Sequence, residues 1–305
     1  MLAAKTILII HSFAVGSVWS TQMESGFIEE LEKSGFVGNF ESVYFLEEKK
    51  DELLQKVDKK RPSAILITGE LACEHLVDSL SKKKIPTFFT SVPRTETPQK
   101  WLNSDNKNNV TGVFEKTNIE KSLDIIEKIM GKKAKAVGIL VGGPLENMKN
   151  VALMVKYELR SRPEIILTIE HAEFYEAWKL KLVSLNEQNE VLIPLLPYAM
   201  RDSSAGKETD WNEVGTFMKS HVTKPTIGLS RMDCQMERMI SISRQPRDFG
   251  IQAARMVYDH LVDGITLNHI PIEFIKTFEL EINKKEASRL GFTIPEDVAS
   301  HAKII

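Results

Sequence analysis

The sequence predicts an α/β chain built as two doubly wound, parallel-sheet lobes. Three observations carry this reading. Short apolar, β-branched runs such as Thr6–Ile10, Ser63–Thr68 and Ala136–Val141 are too brief for helices and suit strands buried on both faces. Each ends in a polar or small tip and is followed by apolar residues at helical spacing, so strand, loop and helix alternate as in a parallel sheet with right-handed crossovers. The alternation then runs a second time, restarting near Thr111–Lys116 after the polar stretch Thr95–Asn109.

Taken in order, Thr6–Ile10 is the first strand. Gln22–Ser34, with Met23, Phe27, Ile28 and Leu31 on one face, is the first helix. Phe40–Leu46 is a strand and Lys49–Lys59 a charged amphipathic helix. Ser63–Thr68, Glu70–Ser81 and Ile85–Thr90 continue as strand, helix and strand, and Thr95–Asn109 reads as a surface loop. The second run comprises helices over Ile119–Met130, Glu146–Arg160, Phe174–Leu185 and Trp211–Ser220. They alternate with strands over Ala136–Val141, Glu164–Ile169, Val191–Leu196 and Thr226–Leu229. The last third breaks the pattern: a strand at Met239–Ser243 and a helix at Arg247–Asp263, with Gly264 suited to its C-terminal cap. An imperfectly alternating edge or crossing strand over Ile270–Ile282 follows, then short helices at Lys284–Leu290 and Pro295–Ala302. This tail is too small for a third domain, so it completes the two sheets by crossing between lobes more than once. We place residues 1–112 and 238–268 in lobe I, and 113–237 and 269–305 in lobe II.

Composition narrows the function classes. The 305 residues are 42% hydrophobic and 27% charged, the profile of a folded soluble chain long enough for two domains. With 40 Lys plus Arg against 42 Asp plus Glu and no basic run interleaved with aromatics, nucleic acid is not indicated as a partner. The longest apolar run, Val191–Met200, is broken by prolines and far too short for a membrane span. The two cysteines, Cys73 and Cys234, read as isolated buried thiols, with a single disulfide as the alternative. Met1–Lys5 is too short for a signal peptide, which leaves a cytoplasmic start and a processed exported chain both open.

No nucleotide, metal or hydrolase motif appears. Gly142-Gly143-Pro144 lacks phosphate-loop spacing and its proline removes a donor, the seven histidines are scattered, and there is no HExxH or GxSxG. No cofactor or metal is therefore expected. What recurs is the strand tip carrying polar or small groups: His11-Ser12, Thr68-Gly69-Glu70, Thr90 to Arg94 with Ser91, and Pro197-Tyr198 to Arg201. Gly143 and Ser230-Arg231 are weaker members. In a doubly wound sheet such tips gather at the carboxyl edge, where ligands bind, and two facing edges would bracket a cleft. For any single tip an ordinary βα turn is the plain alternative. Arg94, Arg201 and Arg231 suit a carboxylate, held by bidentate hydrogen bonds. Glu70 suits a ligand amine, or simply favours the first turn of its helix. Trp19 and Tyr198 suit stacking on a planar ligand, Trp19 equally well packing its own loop.

The segments IIHSFAVGSVWSTQMESGF, TGELACEHL, PTFFTSVPRTE and NNVTGVFEKTNIEKSLDIIEKI, and the tail LEINKKEASRLGFTIPEDVASHAKII, resemble in order the motifs of ABC-transporter substrate-binding proteins. The resemblance spans essentially the whole chain and is most specific in the tail. It implies the type I periplasmic-binding-protein fold, with two α/β lobes, a multi-strand hinge and a ligand between them. Known ligands of such proteins include aromatic amino acids and other small organic molecules. Two departures alter the charge of the pocket. Arg94 stands where the family often has an acidic residue after TSVP, and Glu70 completes what is commonly TGT. Pro197 to Glu208 matches none of the family's motifs.

The function expected is a non-catalytic, monomeric binding protein that captures a small polar or amphipathic solute, amino-acid-like or carboxylate-bearing, by hinge closure. Its partner would be an ABC-transporter permease, and the resemblance implies a periplasmic or membrane-associated extracellular location. A sensory module signalling to a receptor or kinase is the first alternative. An α/β enzyme on a small metabolite is the second; it needs a base–nucleophile pair that no spacing here reveals. The ligand-binding residues expected are His11, Ser12, Trp19, Thr68, Gly69, Glu70, Ser91, Arg94, Gly143, Pro197, Tyr198, Arg201 and Ser230.

Overall fold

A computed structural model of the chain describes residues 5–95, 99–103, 105–106, 108–195, 200–202, 206–231 and 233–305. The chain runs β1 (Lys5–His11), α1 (Val18–Lys33), β2 (Gly38–Tyr44), α2 (Lys50–Lys60), β3 (Ala64–Thr68), α3 (Glu70–Lys82), β4 (Thr87–Pro93) and β5 (Val110–Glu115). Then come α4 (Ile119–Met130), β6 (Ala136–Gly142), α5 (Leu145–Leu159), β7 (Ile166–Ala172), α6 (Tyr175–Gln188), β8 (Val191–Leu195), α7 (Trp211–His221), β9 (Ile227–Gly228) and β10 (Ile240–Ser243). It ends with α8 (Pro246–Leu261), β11 (Glu273–Phe274), β12 (Glu279–Ile282), α9 (Lys284–Arg289), α10 (Glu296–Ala299) and β13 (Lys303–Ile304). Two compact units result: Met1–Lys116 with Gln245–Thr277, and Thr117–Arg244 with Phe278–Ile305. The chain thus passes between units three times.

The first unit holds six parallel strands in the order β11-β5-β4-β3-β1-β2. Side chains alternate across each strand, and here both faces are apolar. Ile7, Ile9, Leu66, Phe88 and Val113 pack with Met23, Phe27 and Leu31 of α1 and Phe249, Ala253 and Val257 of α8. Leu8, Ile10, Ile65, Ile67 and Phe89 pack on the other face with Val57 of α2 and Leu76, Val77 and Leu80 of α3. Helices α1 and α8 cross at two glycines. A Cβ on Gly250 would lie 2.0 Å from the Met23 carbonyl oxygen, and one on Gly26 would lie 2.4 Å from that of Arg247. Only glycine permits that approach. Trp101 and Asn106, inside the stretch expected as a surface loop, are buried, with Trp101 edge-on to Phe89.

In the second unit β7-β6-β8 are parallel, and a bridge between Leu192 and Thr226 joins them to the mixed set β9-β10-β12-β13, where β12 runs antiparallel to β10. Val137, Ile139, Val191, Ile193 and Ile240 pack with α4 and α5 on one face. Leu140 and Leu192 pack with Trp178 and Leu182 of α6 and Met218 of α7 on the other. Each unit is therefore doubly wound.

Three features differ from the sequence expectation. The alternating stretch Ile270–Ile282 is two strands, because the chain changes unit after Thr277: β11 pairs with β5 and β12 with β10. The same pairings set the unit boundaries. Residues 238–244 lie in the second unit because β10 sits between β9 and β12, and 269–277 lie in the first because β11 extends its sheet. Finally, the expected helix Pro295–Ala302 is a single turn, Glu296–Ala299, after which Lys303 and Ile304 pair with Glu281 and Ile282.

Candidate functional site

In the first unit β1, β3, β4 and β5 end side by side, and most of the predicted residues meet there. His11 closes β1 opposite Thr68 and is fully buried. Its Nε2 lies 2.9 Å from Glu24 Oε2 and its Nδ1 3.0 Å from Thr68 Oγ1. Burial pulls its pKa down and outweighs the hydrogen bond and charge of Glu24 acting the other way. In the neutral ring one nitrogen donates and the other accepts. The carboxylate only accepts, so Nε2–H donates to Glu24 and Nδ1 accepts from the Thr68 hydroxyl.

Ser12 follows with its backbone N–H on the Thr68 carbonyl at 2.9 Å, while its Oγ accepts from the Ala72 N–H at 2.9 Å. That bond caps α3 from outside the helix. Gly69, which precedes the helix, has φ of +88° and no room for a Cβ, which would stand 2.9 Å from Ser12 Cβ. The Ser12 and Gly69 chemistries therefore depend on each other.

Trp19, half-buried at the start of α1, donates its Nε1–H to Ser91 Oγ at 3.0 Å and has its ring 6.3 Å from that of Phe249. Ser91 in turn donates to Glu115 Oε1 at 2.8 Å. It sits where the β4–β5 register shifts, at φ of +56°, a left-handed conformation that costs a non-glycine residue about 1–2 kcal/mol. Such strain persists only where neighbours over-determine it, and two hydrogen bonds do so here.

Glu70 opens α3, where the helix terminus favours a charged carboxylate. Its pKa nevertheless rises from 4.5 to about 7. Burial is the largest cause, and Glu74 and Glu115 add like charge against a hydrogen bond from Gln99. Arg94 donates Nη1–H to Gln99 Oε1 at 2.7 Å and lays its guanidinium 5.3 Å from the centre of the Phe114 ring. A cavity of about 350 Å³ beside them is lined by Glu70, Glu74, Thr95, Gln99 and Trp101 among others.

The strand tips of the second unit are engaged differently. Gly143 is buried after β6, its carbonyl 2.6 Å from His171 Nε2. Ser230 gives its N–H and hydroxyl to Asp233 Oδ2 at 2.7 and 2.9 Å, and Leu229 N–H joins them at 2.9 Å. Arg231 is exposed, 3.4 Å from Glu281. Arg201 is exposed too, and its carbonyl accepts from Tyr175 N–H at 3.0 Å. Pro197 and Tyr198 lie outside the described residues.

The structure thus brings His11, Ser12, Trp19, Thr68, Gly69, Glu70, Ser91 and Arg94 to one sheet edge, and gives Gly143 and Ser230 internal partners. Sequence reasoning missed Glu24 and Glu115, which lie inside segments of the family resemblance without being singled out, and Gln99, which lies in none. It also missed Asp233 with Arg238, whose side chain is fully buried with Nη1 2.8 Å from the Met236 carbonyl and Nε 3.7 Å from Asp233. Burial lowers the Arg238 pKa against the pull of Asp233. An Asp three residues beyond Ser230 is the one signal that local side-chain capping offered. Cys73 and Cys234 are buried free thiols, the second pushed up to about 12 by burial. Among the described residues no group of His, Cys, Asp or Glu is arranged to hold a metal ion, and no helix is long and apolar enough to cross a membrane.

Residues 21–305 match the family described as ABC transporter substrate binding protein. A comparison with curated protein sequences finds no match. Among solved structures, the chain is similar to a ligand-free, open substrate-binding protein with adhesive properties from Clostridium difficile, at 15% identity and TM-score 0.71 over 99% of each chain. It is also similar to an ABC domain in complex with L-Trp from Streptococcus pneumonia, at 15% identity and TM-score 0.61 over 98% of this chain and 100% of that one. A conserved domain protein from Vibrio cholerae aligns at 18% identity and TM-score 0.61 over 99% of each chain. Likeness at such identities speaks for the fold, which is that of type I periplasmic binding proteins. With nearly its whole length matched, the chain belongs to the family of ABC-transporter substrate-binding proteins.

Proposed function

We propose that this protein is the extracytoplasmic solute-binding component of an ABC importer, without catalytic activity of its own. It captures a small polar or amphipathic molecule, amino-acid-like or carboxylate-bearing, by hinge closure and presents it to a membrane permease. The observation that carries this reading is the gathering of Trp19, Glu70, Ser91 and Arg94 at the carboxyl edge of one parallel sheet. That edge is where open α/β sheets bind their ligands. The groups there are complementary to such a solute. A half-buried indole offers a planar face, Arg94 a guanidinium suited to a carboxylate, and Glu70 a carboxyl that a cationic group would stabilise in its charged form. The likeness to a domain crystallised with L-Trp supports starting the search with aromatic amino acids. Closure favoured about 100-fold by the solute requires only about 2.7 kcal/mol of differential binding. A few charge-assisted hydrogen bonds and one stacked ring supply that much.

The test is a thermal-shift screen of amino acids and small carboxylic acids, followed by calorimetry on the hits. The expected outcome is saturable binding that Trp19→Ala and Arg94→Ala each weaken while both variants keep a cooperative ligand-free melting transition. Chemical turnover of the bound molecule would overturn the reading, and so would undiminished affinity in both variants.

A further inference from the structure

The hydrogen-bond chain from Trp19 through Ser91 to Glu115 has only one polarity open to it. An indole N–H is a donor and nothing else, a carboxylate is an acceptor and nothing else, and a hydroxyl carries a single proton. With Ser91 Oγ 2.8 Å from Glu115 Oε1 and 3.0 Å from Trp19 Nε1, the serine proton must point to the carboxylate. Its lone pair is then left for the indole. Were the carboxylate missing, the hydroxyl proton would have no fixed acceptor, and the rotor that aims the lone pairs at Trp19 would be unlocked. Ser91 itself has little freedom to adapt. It is 2% exposed, sits at φ of +56°, and occupies the register shift between Thr90 and Val92. Glu115 is the last residue of β5, and the first unit ends one residue later at Lys116.

We propose that Glu115 is a positioning residue for the solute site. Acting through Ser91, it fixes the Trp19 indole and so sets the ring face that the first unit presents. This inference rests on the solute-binding reading above for its purpose, and on the polarity of the three groups for its geometry. It assigns a role to a residue that the sequence did not single out and that reaches Trp19 through another side chain. It also ties the first turn of α1 to the end of the strand from which the chain leaves the first unit.

The indole N–H signals of the four tryptophans in the full-length, solute-free protein test it by proton–nitrogen correlation spectroscopy, with Trp19→Phe identifying the relevant signal. Glu115→Ala is expected to move the Trp19 signal upfield and speed its exchange with solvent about tenfold, the factor one hydrogen bond of ordinary net strength represents. The other three signals stay in place. Glu115→Gln keeps a carbonyl acceptor and is expected to hold the Trp19 signal near its parental position. Ser91→Gly removes the hydroxyl while suiting the left-handed backbone, so it folds and should reproduce the Glu115→Ala signature. If Ser91→Gly moves the signal and Glu115→Ala does not, the indole bond stands without the carboxylate and the proposal is overturned. It is equally overturned if neither variant moves the signal, or if Glu115→Ala moves all four alike. No solute is present in these spectra, so a failure to find a ligand would leave their outcome unaffected.

Discussion

Replacing Glu70 by Gln removes a titrating group from the sheet edge at nearly constant shape, and the structure sets both the sign and the size of the effect. The folded-state pKa is raised from 4.5 to about 7, chiefly by burial. Between those values the folded protein holds a proton that the unfolded chain has released. The contribution of Glu70 is therefore most favourable below pH 4.5 and declines as pH rises through the window to about 7. At 1.36 kcal/mol per unit the ceiling is about 3 kcal/mol, and screening of a half-buried group brings it to about 1–2 kcal/mol. Gln has no such dependence. The melting temperature of Glu70→Gln minus that of the parent should therefore grow by about 3–6 °C between pH 4.5 and pH values above about 7, on the scale of a unit of this size. Calorimetric scans across the window read it directly. A difference that stays constant with pH would refute the reasoning, because it would mean that Glu70 titrates alike in the folded and unfolded chain.

Two further outcomes follow from packing. Gly250→Ala places a Cβ 2.0 Å from the Met23 carbonyl oxygen and must push α1 and α8 apart. Overpacking of this kind costs about 1–3 kcal/mol, only partly offset by the helix propensity of alanine, so the melting temperature should fall by several degrees; an unchanged value would show that the helices part freely. Asp233→Ala strips three hydrogen bonds from Leu229 and Ser230 and leaves the buried Arg238 without its counter-charge. A loss of about 3–5 kcal/mol is expected in thermal or denaturant unfolding, with Asp233→Asn losing clearly less because it keeps an acceptor oxygen.

The legible part of this chain was the part whose signal is local. An apolar run such as Ile7–Ile10 buries alternate residues against different helices, and its composition alone says that both faces are covered. Helix α4 was bounded correctly at Ile119 and Met130, because its apolar spacing is strong and Gly131 supplies a left-handed end. The unit boundaries were not local. Whether Ile240–Ser243 belongs with one sheet or the other depends on its pairing with β9 and β12, residues far along the chain. The two-residue strands β11 and β13 carry no periodicity to read, whereas β9 falls inside the strand expected over Thr226–Leu229. The site divides in the same way. Polar tips announced themselves after each strand, whereas Glu24 and Glu115 look like any carboxylate on a helix face or at a strand end until the fold sets them against His11 and Ser91.

That division explains why one residue type does different work in the two units. Ser91 lies within β4 at its register shift and Ser230 lies two residues beyond β9, and both hydroxyls donate to a carboxylate. The acceptor of Ser230 stands three residues away on its own loop, so the bond closes a turn and involves nothing outside it. The acceptor of Ser91 comes from the neighbouring strand, and its own lone pair receives an indole from a helix 72 residues earlier. A locally satisfied hydroxyl stabilises its loop whether or not a solute exists. One satisfied across three elements links a half-buried ring to two strands, through a serine whose left-handed backbone carries strain. A glycine at position 91 would relieve that strain but would leave the Trp19 N–H without its acceptor.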